Sequence, residues 1–270
     1  VEEKKEKIQT IKERGALLPL GIQDKSGKLH RDISVRRWRM KEERELGELR
    51  DRHKDANLAT YVSMILATMC TRLGPHDFEK MKFEERCLIL SQMFMGDVFY
   101  AYVWLRINCL GHSFPIEFQP AWSNKPLKIK ADLWSVQVKS AESYESSCWA
   151  YKLNDPFEIR GKKVTGFRLS PQRWSSMEQH NAVGAGSNQG LAKLIIIKSS
   201  IIGCEGIDGE IMLTDNELDE LSKLDLEKLT TLLDQNVLGP VMAVEGEYRG
   251  RPFRAPIDWG YDSFFGISSV

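Results

Sequence analysis

Hydrophobic and polar positions follow two different periods along this chain, and each change of period marks a new element. The opening VEEKKEKIQTIKER (1–14) is almost wholly charged and predicts a charged helix or a mobile arm. GALLPLGIQDK (15–25), with its Gly and Pro, reads as a connector. Ile33 and Val35 then alternate with polar neighbours, as on a half-buried strand. From Asn57 to Gly74 the period becomes helical, with Leu58, Val62, Ile65, Leu66 and Met69 on one face. Asn57 suits the N-cap, and Gly74-Pro75 suits the stop. Glu79–Phe94 predicts an acid-led helix. Met93–Leu110 is the most apolar long stretch, but it contains Asp97 and Arg106, which favours a buried helix over a membrane span. Phe114–Trp134 predicts a strand, a turn and a second strand.

The same order then recurs. Gly27–Glu43 is echoed by Gly161–Glu178, with Ile33 and Val35 answered by Phe167 and Leu169. Each stretch carries an Arg-Trp pair, Arg37-Trp38 and Arg173-Trp174, and a Glu four residues after the Trp, Glu42 and Glu178. Gly190–Gly203 is rich in β-branched Ile, which leaves a strand open, but its spacing and its terminal Gly favour a helix. Leu213–Asn236 is a second acid-led helical stretch, opened by the cap-type Thr214-Asp215-Asn216-Glu217. Val241–Gly260 predicts a second hairpin. There Arg251-Pro252-Phe253-Arg254 matches Lys125-Pro126-Leu127-Lys128, and Asp258-Trp259 matches Asp132-Leu133. Two units are too few for a solenoid, so the expectation is a tandem duplication with fused halves. The predicted class is α+β, as two related units that each combine helices with a β-hairpin. Residues 1–26 form an arm and connector, 27–140 the first unit, 141–160 a linker and strand, and 161–270 the second unit with an aromatic tail.

Composition changes this picture in one respect. Over 270 residues, 38 Lys+Arg balance 38 Asp+Glu, which argues against a dedicated nucleic-acid binder. The balance hides an asymmetry. Residues 1–55 carry 16 basic and 12 acidic side chains, whereas residues 205–237 carry 10 acidic and 2 basic. Opposed patches suit head-to-tail or multi-partner assembly; solvated helix faces are the plainer reading. The charged start lacks the apolar core of a secretory signal.

Catalytic patterns are sparse. The five cysteines (Cys70, Cys87, Cys109, Cys148, Cys204) form no CxxC and read as small buried thiols. The five histidines are scattered, and neither HExxH nor GxSxG occurs. GAGSNQG (Gly184–Gly190) lacks the Lys-Ser or Lys-Thr of a phosphate loop and reads as a flexible surface loop. Glu42/Glu43 and Glu84/Glu85, adjacent on charged helices, read as solvated faces. No catalytic residue, cofactor or metal is expected, and an enzyme is the least supported class.

Aromatic residues carry more information. Trp259, Tyr261, Phe264 and Phe265 crowd a chain end, where polar residues are usual. They either dock on their own core or anchor the chain in a partner's groove. Trp122, at the tip of the first hairpin, is a second anchor candidate. The acidic group Asp215, Glu217, Asp219 and Glu220 is a third contact candidate.

The Arg-Trp-x3-Glu openings, the acid-led helices, the hairpins closing on Asp and the ending IDWGYDSFFGISS resemble those of the baseplate and tail-assembly proteins of contractile-tailed bacteriophages, especially the T-even-type baseplate hub family. The likeness covers roughly residues 27–270. It implies a non-enzymatic structural protein of the baseplate hub or inner ring, synthesised in the host cytoplasm and resident in the virion. Its partners would be other tail and baseplate proteins, with several copies in a ring and neither membrane nor nucleic acid engaged. A duplicated chain could let three copies mimic six. Many proteins of this kind carry a CPxC knuckle at the hairpin tip. Here the tips read Gln119-Pro120-Ala121-Trp122 and Gly246-Glu247-Tyr248-Arg249, so the ligands of a tetrahedral zinc site are absent. The hairpins would be degenerate zinc ribbons held by packing, with Trp122 and Tyr248 as fillers. Two other readings remain open. One is a tail assembly chaperone absent from the mature particle. The other is a nucleic-acid-associated module of zinc-ribbon descent using Arg36, Arg37 and Arg39.

Overall fold

The computed structural model describes residues 7–184, 189–209, 213–260 and 264–265. Strand β1 (Lys7–Thr10) and the single turn α1 (Ile11–Arg14) lead into β2 (Leu17–Gln23) and β3 (Leu29–Val35). Helices α2 (Met40–Arg52) and α3 (Leu58–Met69) follow, and α3 passes directly into β4 (Cys70–Leu73), which turns back through β5 (His76–Asp77). Helices α4 (Phe83–Gln92) and α5 (Met95–Leu110) precede the hairpin of β6 (Ser113–Phe118) and β7 (Leu127–Asp132). Then come β8 (Gln137–Ser140), the turn α6 (Tyr144–Ser147), β9 (Trp149–Ile159) and β10 (Lys162–Leu169). Helix α7 (Trp174–Gly184) precedes α8 (Gln189–Ser200), which passes directly into β11 (Ile201–Glu205). The short α9 (Asp215–Leu218), α10 (Lys223–Gln235), β12 (Gly239–Pro240), and the hairpin of β13 (Ala243–Tyr248) and β14 (Arg251–Pro256) complete the order. This is an α+β fold. Its three larger sheets run β1-β8-β12, β2-β3-β4-β5 and β11-β10-β9, and the described pairings are antiparallel.

The two similar stretches of sequence have matching ladders. Ile33, Ser34 and Val35 pair with Leu73, Arg72 and Cys70, with a bulge after Ser34. Phe167, Arg168 and Leu169 pair with Cys204, Gly203 and Ile201, with a bulge after Arg168. Each bulge adds one residue and local twist at the same rung. Beyond it, Leu73 bridges His76 and Cys204 bridges Ile207, across turns of equal length. Helices α3 and α8 are both 12 residues long. In each case the expected helix ends early. Cys70–Leu73 and Ile201–Glu205 are strands, drawn off the helix by pairing with β3 and β10.

From Lys7 onward the expected arm and connector are folded onto the rest of the chain, the arm as the exposed edge strand β1 and the turn α1, and the connector as strand β2. Strand β1 lies along the edge of β8, and Ile11, Leu18 and Leu20 are buried. Arg14 donates to the carbonyls of Leu17 and Leu18. The buried Asp97 of α5 accepts the amides of Leu20 (2.8 Å) and Gly21 (2.9 Å), which fixes the irregular middle of β2. Burial pushes the Asp97 carboxyl up to about 6, against the pull of those two amides. Helix α5 is buried as expected, and no helix among the described residues is long and apolar enough to cross a membrane. The solvated reading of Glu42 is corrected. It is 6% exposed, folded back onto its own helix start to accept the Arg39 amide at 3.2 Å. Glu43 accepts the Trp38 indole N–H at 2.6 Å. Cys70, Cys148 and Cys204 are buried, Cys87 and Cys109 half-buried, and all five are free thiols.

Two main cores form. The larger surrounds α3 and α5 and draws Trp174, Ala255, Ile257, Phe264 and Phe265 from the second half of the chain. The smaller lies between β9–β11 and α8–α10. Polar clasps join the halves. The Trp174 indole donates to Ser63 Oγ (2.8 Å), and Glu178 accepts Ser63 (2.6 Å) and Ser91 (2.9 Å). So the second Arg-Trp-x3-Glu motif locks onto helices of the first stretch. Where β12 crosses α5, Gly96 and Gly239 let the backbones touch. A Cβ on Gly96 would fall 2.0 Å from the Leu238 carbonyl oxygen.

Candidate interaction surface

The two hairpins with matched sequences lie side by side at one end of the larger core. In β6–β7, Phe114, Ile116 and Ala131 are buried against that core while Glu117 and Lys128 face water, the alternation a one-sided hairpin requires. In β13–β14, Val244 and Phe253 pack inward and Ala255 is buried. Gly246 pairs with Phe253, whose ring lies across the strand where a Cβ would stand, 2.7 Å away. That ring contacts Phe118 at 5.2 Å, so aromatic packing joins the hairpins.

The outer ends meet in a cluster of aromatic rings and arginines. Trp122 is carried on the loop between Phe118 and Leu127, braced by Ser123 N–H to the Pro120 carbonyl (3.0 Å) and Ser123 Oγ to the Lys125 carbonyl (2.8 Å). Its ring stacks on Tyr248 at 6.5 Å and 18°, and its N–H donates to the Pro252 carbonyl at 3.2 Å. Arg251 lies over Trp122 at 5.5 Å, and Arg249 lies over Tyr248 at 5.4 Å. Trp122 remains 37% exposed. Arg249 and Gly250 form the two-residue turn, with φ of 52° and 76°, as in a type I′ hairpin loop. A left-handed arginine is uncommon, since Asn is the usual non-glycine choice there. The ion pairs Lys128–Glu117 (3.4 Å) and Arg254–Glu245 (3.6 Å) lie on the exposed faces below.

The structure sorts the other expected contact residues. Phe264 and Phe265 are buried in the chain's own core and are corrected as partner anchors. Phe264 stacks on Tyr102 (5.1 Å), its carbonyl accepts Arg106 Nε (2.7 Å), and Phe265 lies against Trp38 (4.8 Å). Burying these two rings on the chain's own core removes their apolar surface from water without a partner. Trp259 is half-buried, edge-on to Phe99 at 5.1 Å, beside a groove of about 430 Å³ between the hairpin bases. Tyr261 lies outside the described residues. Asp215 pairs with Lys198 at 2.7 Å. Glu217 caps α9 through Thr214 and pairs with Arg160 at 2.6 Å, which holds its carboxyl down at about 2. Both acids pair within the chain, although Asp215 stays exposed, as do Asp219 and Glu220, for which no ion pair is found among the described residues.

Arg249, Arg251 and the exposed Leu224 are surface residues that sequence reasoning missed. Arg-Gly between two alternating segments is a weaker turn signal than Asn-Gly, and a lone arginine carries no spacing to detect. Among the described residues, no group of three or more His, Cys, Asp or Glu is placed to hold a metal ion. No family model, curated protein or solved structure matches this chain.

Proposed function

We propose that this chain is a structural protein of a contractile phage tail baseplate, in the hub or the inner ring, acting by protein–protein packing in the virion. The observation that carries the reading is the hairpin tip. Trp122, Tyr248, Arg249 and Arg251 combine the residue types that dominate binding energy at interfaces. They stand on two braced hairpins, so little side-chain entropy remains to be lost on binding. The sequence resemblance supplies the assembly, with other baseplate proteins as partners.

Quantitative mass spectrometry of purified particles and of unassembled lysate fractions tests the reading. The chain is expected in the particle, at a copy number divisible by three. Its presence only in unassembled fractions would replace the structural role with that of an assembly chaperone. Absence from tails and from their precursors would end the baseplate reading. A second reading, a nucleic-acid-associated module, is favoured by the same pairing of arginines and rings, because bases stack on aromatic side chains while cations meet phosphates. Salt-dependent binding of an oligonucleotide by the isolated protein would favour it.

A further inference from the structure

The hairpin tip and the acidic α9–α10 segment are complementary surfaces that do not meet within one chain. Among the described residues, Arg249 and Arg251 form no ion pair, and their guanidiniums lie over the rings of Tyr248 and Trp122. Asp219 and Glu220 are exposed and likewise form none there. Beside them, Leu224 is 52% exposed, and Glu227 is held only loosely by Lys223 at 3.9 Å. The tip belongs to the larger core and the acidic segment to the smaller one, so they are distinct surfaces of one molecule.

The chain already contains an example of the contact that would join them. At the other described left-handed arginine, Arg160, the guanidinium of an Arg-Gly hairpin turn rests on Glu217 in the first turn of α9. Arg249 has the same backbone conformation in the same kind of turn and, among the described residues, forms no ion pair with a carboxylate.

We propose that the Trp122–Tyr248–Arg249–Arg251 tip of one molecule docks on the Asp219–Glu220–Leu224 surface of a second copy of this chain. The arginines meet the two carboxylates, and Trp122 covers Leu224. Charge complementarity argues for this occupant, since the described residues of each molecule include a basic aromatic tip and an exposed acidic patch. Because the joined surfaces differ, the contact is head-to-tail and generates a ring or an open chain rather than a closed pair. The inference rests on the reading of the tip as a protein contact.

Sedimentation velocity of the full chain over a concentration series, at low and at high salt, is the test. Self-association is expected at low salt and should weaken as salt rises. Arg249→Glu/Arg251→Glu and, separately, Asp219→Lys/Glu220→Lys should each weaken it about tenfold or more. An equimolar mixture of the two variants should restore it, because every junction then joins opposite charges. Both sites are exposed, and unchanged circular dichroism and melting would show that the variants fold. A wild-type chain that stays monomeric at every concentration overturns the proposal, as do variants that associate like wild type. Binding of oligothymidylate by a monomeric wild type, lost in the arginine variant, also overturns it and assigns the tip to nucleic acid. A monomeric chain that is nevertheless found in particles removes this contact and leaves the baseplate reading standing.

Discussion

Two hairpins in this molecule close through the same pair of residues, Arg160-Gly161 and Arg249-Gly250, and both arginines are left-handed, with φ of 53° and 52°. Their surroundings differ. The β9–β10 turn is closed: Arg160 rests on Glu217, and the strand behind it is tied to α10 by Asp225. That buried carboxylate accepts Tyr151 OH (2.7 Å), Asn154 N–H (2.9 Å), Asp155 N–H (3.1 Å) and Ser222 Oγ (2.8 Å). Burial works against its charge, but these donors hold its pKa well below the usual carboxylate range. The β13–β14 turn is open: Arg249 lies on Tyr248 and meets no carboxylate among the described residues. The same turn conformation thus carries an arginine paired within the chain at one turn and an outward-facing one at the other.

The comparison breaks most visibly at Asp225. Asp225→Ala would leave several buried donors without an acceptor and should cost about 3–5 kcal/mol, read by urea denaturation. No single truncation at the open tip should approach that. A next-smaller effect concerns pH. The folded-state pKa of Glu217 is depressed to about 2 by Arg160 and Thr214. Its contribution is therefore fully present above the unfolded value near 4.5 and is lost as pH falls through 4.5 towards 2. Arg160→Ala should lower the melting temperature at pH 7 and flatten this part of the acid limb, whereas Arg249→Ala should leave the acid limb unchanged.

Trp122→Ala should cost about 1 kcal/mol of stability, because its ring is partly exposed and one hydrogen bond is lost. If Trp122 instead proves worth as much as Asp225, the tip is a structural corner rather than a contact surface. The smallest expected effect is the sharpest. Asn suits the first position of a type I′ turn better than arginine does, so Arg249→Asn should stabilise the fold by about 0.5–1 kcal/mol. The same change at Arg160 should bring no such gain, because it also removes the contact with Glu217. Equal gains at both turns would erase the distinction between them.

Much of the local structure was readable along the chain. Asn57 caps α3 by accepting the Thr60 amide, Thr214 and Glu217 form the capping box of α9, and α5 is buried despite Asp97. Matching Ile33 and Val35 to Phe167 and Leu169 placed these residues on equivalent ladder rungs, because period-two alternation reports directly which side of a strand is covered. Of the contact candidates, Trp122 and Tyr248 were recognised as hairpin residues, and the structure stacks them on one another.

The sequence by itself determined the caps of α3 and α9, the apolar faces of several elements, and that acidic residues crowd one segment, since all of these depend on neighbours along the chain. Only the tertiary structure decided what each exposed-looking group meets. It drew the charged N-terminal stretch into a sheet, buried Phe264 and Phe265, and assigned Glu217 to Arg160 while leaving Arg249 facing outward. Those outcomes depend on groups far apart in sequence, 57 residues for Arg160 and Glu217 and 158 for Arg106 and Phe264. A carboxylate on α9 and a guanidinium in a distant turn become partners through the packing of the elements between them, which no spacing rule along the chain records.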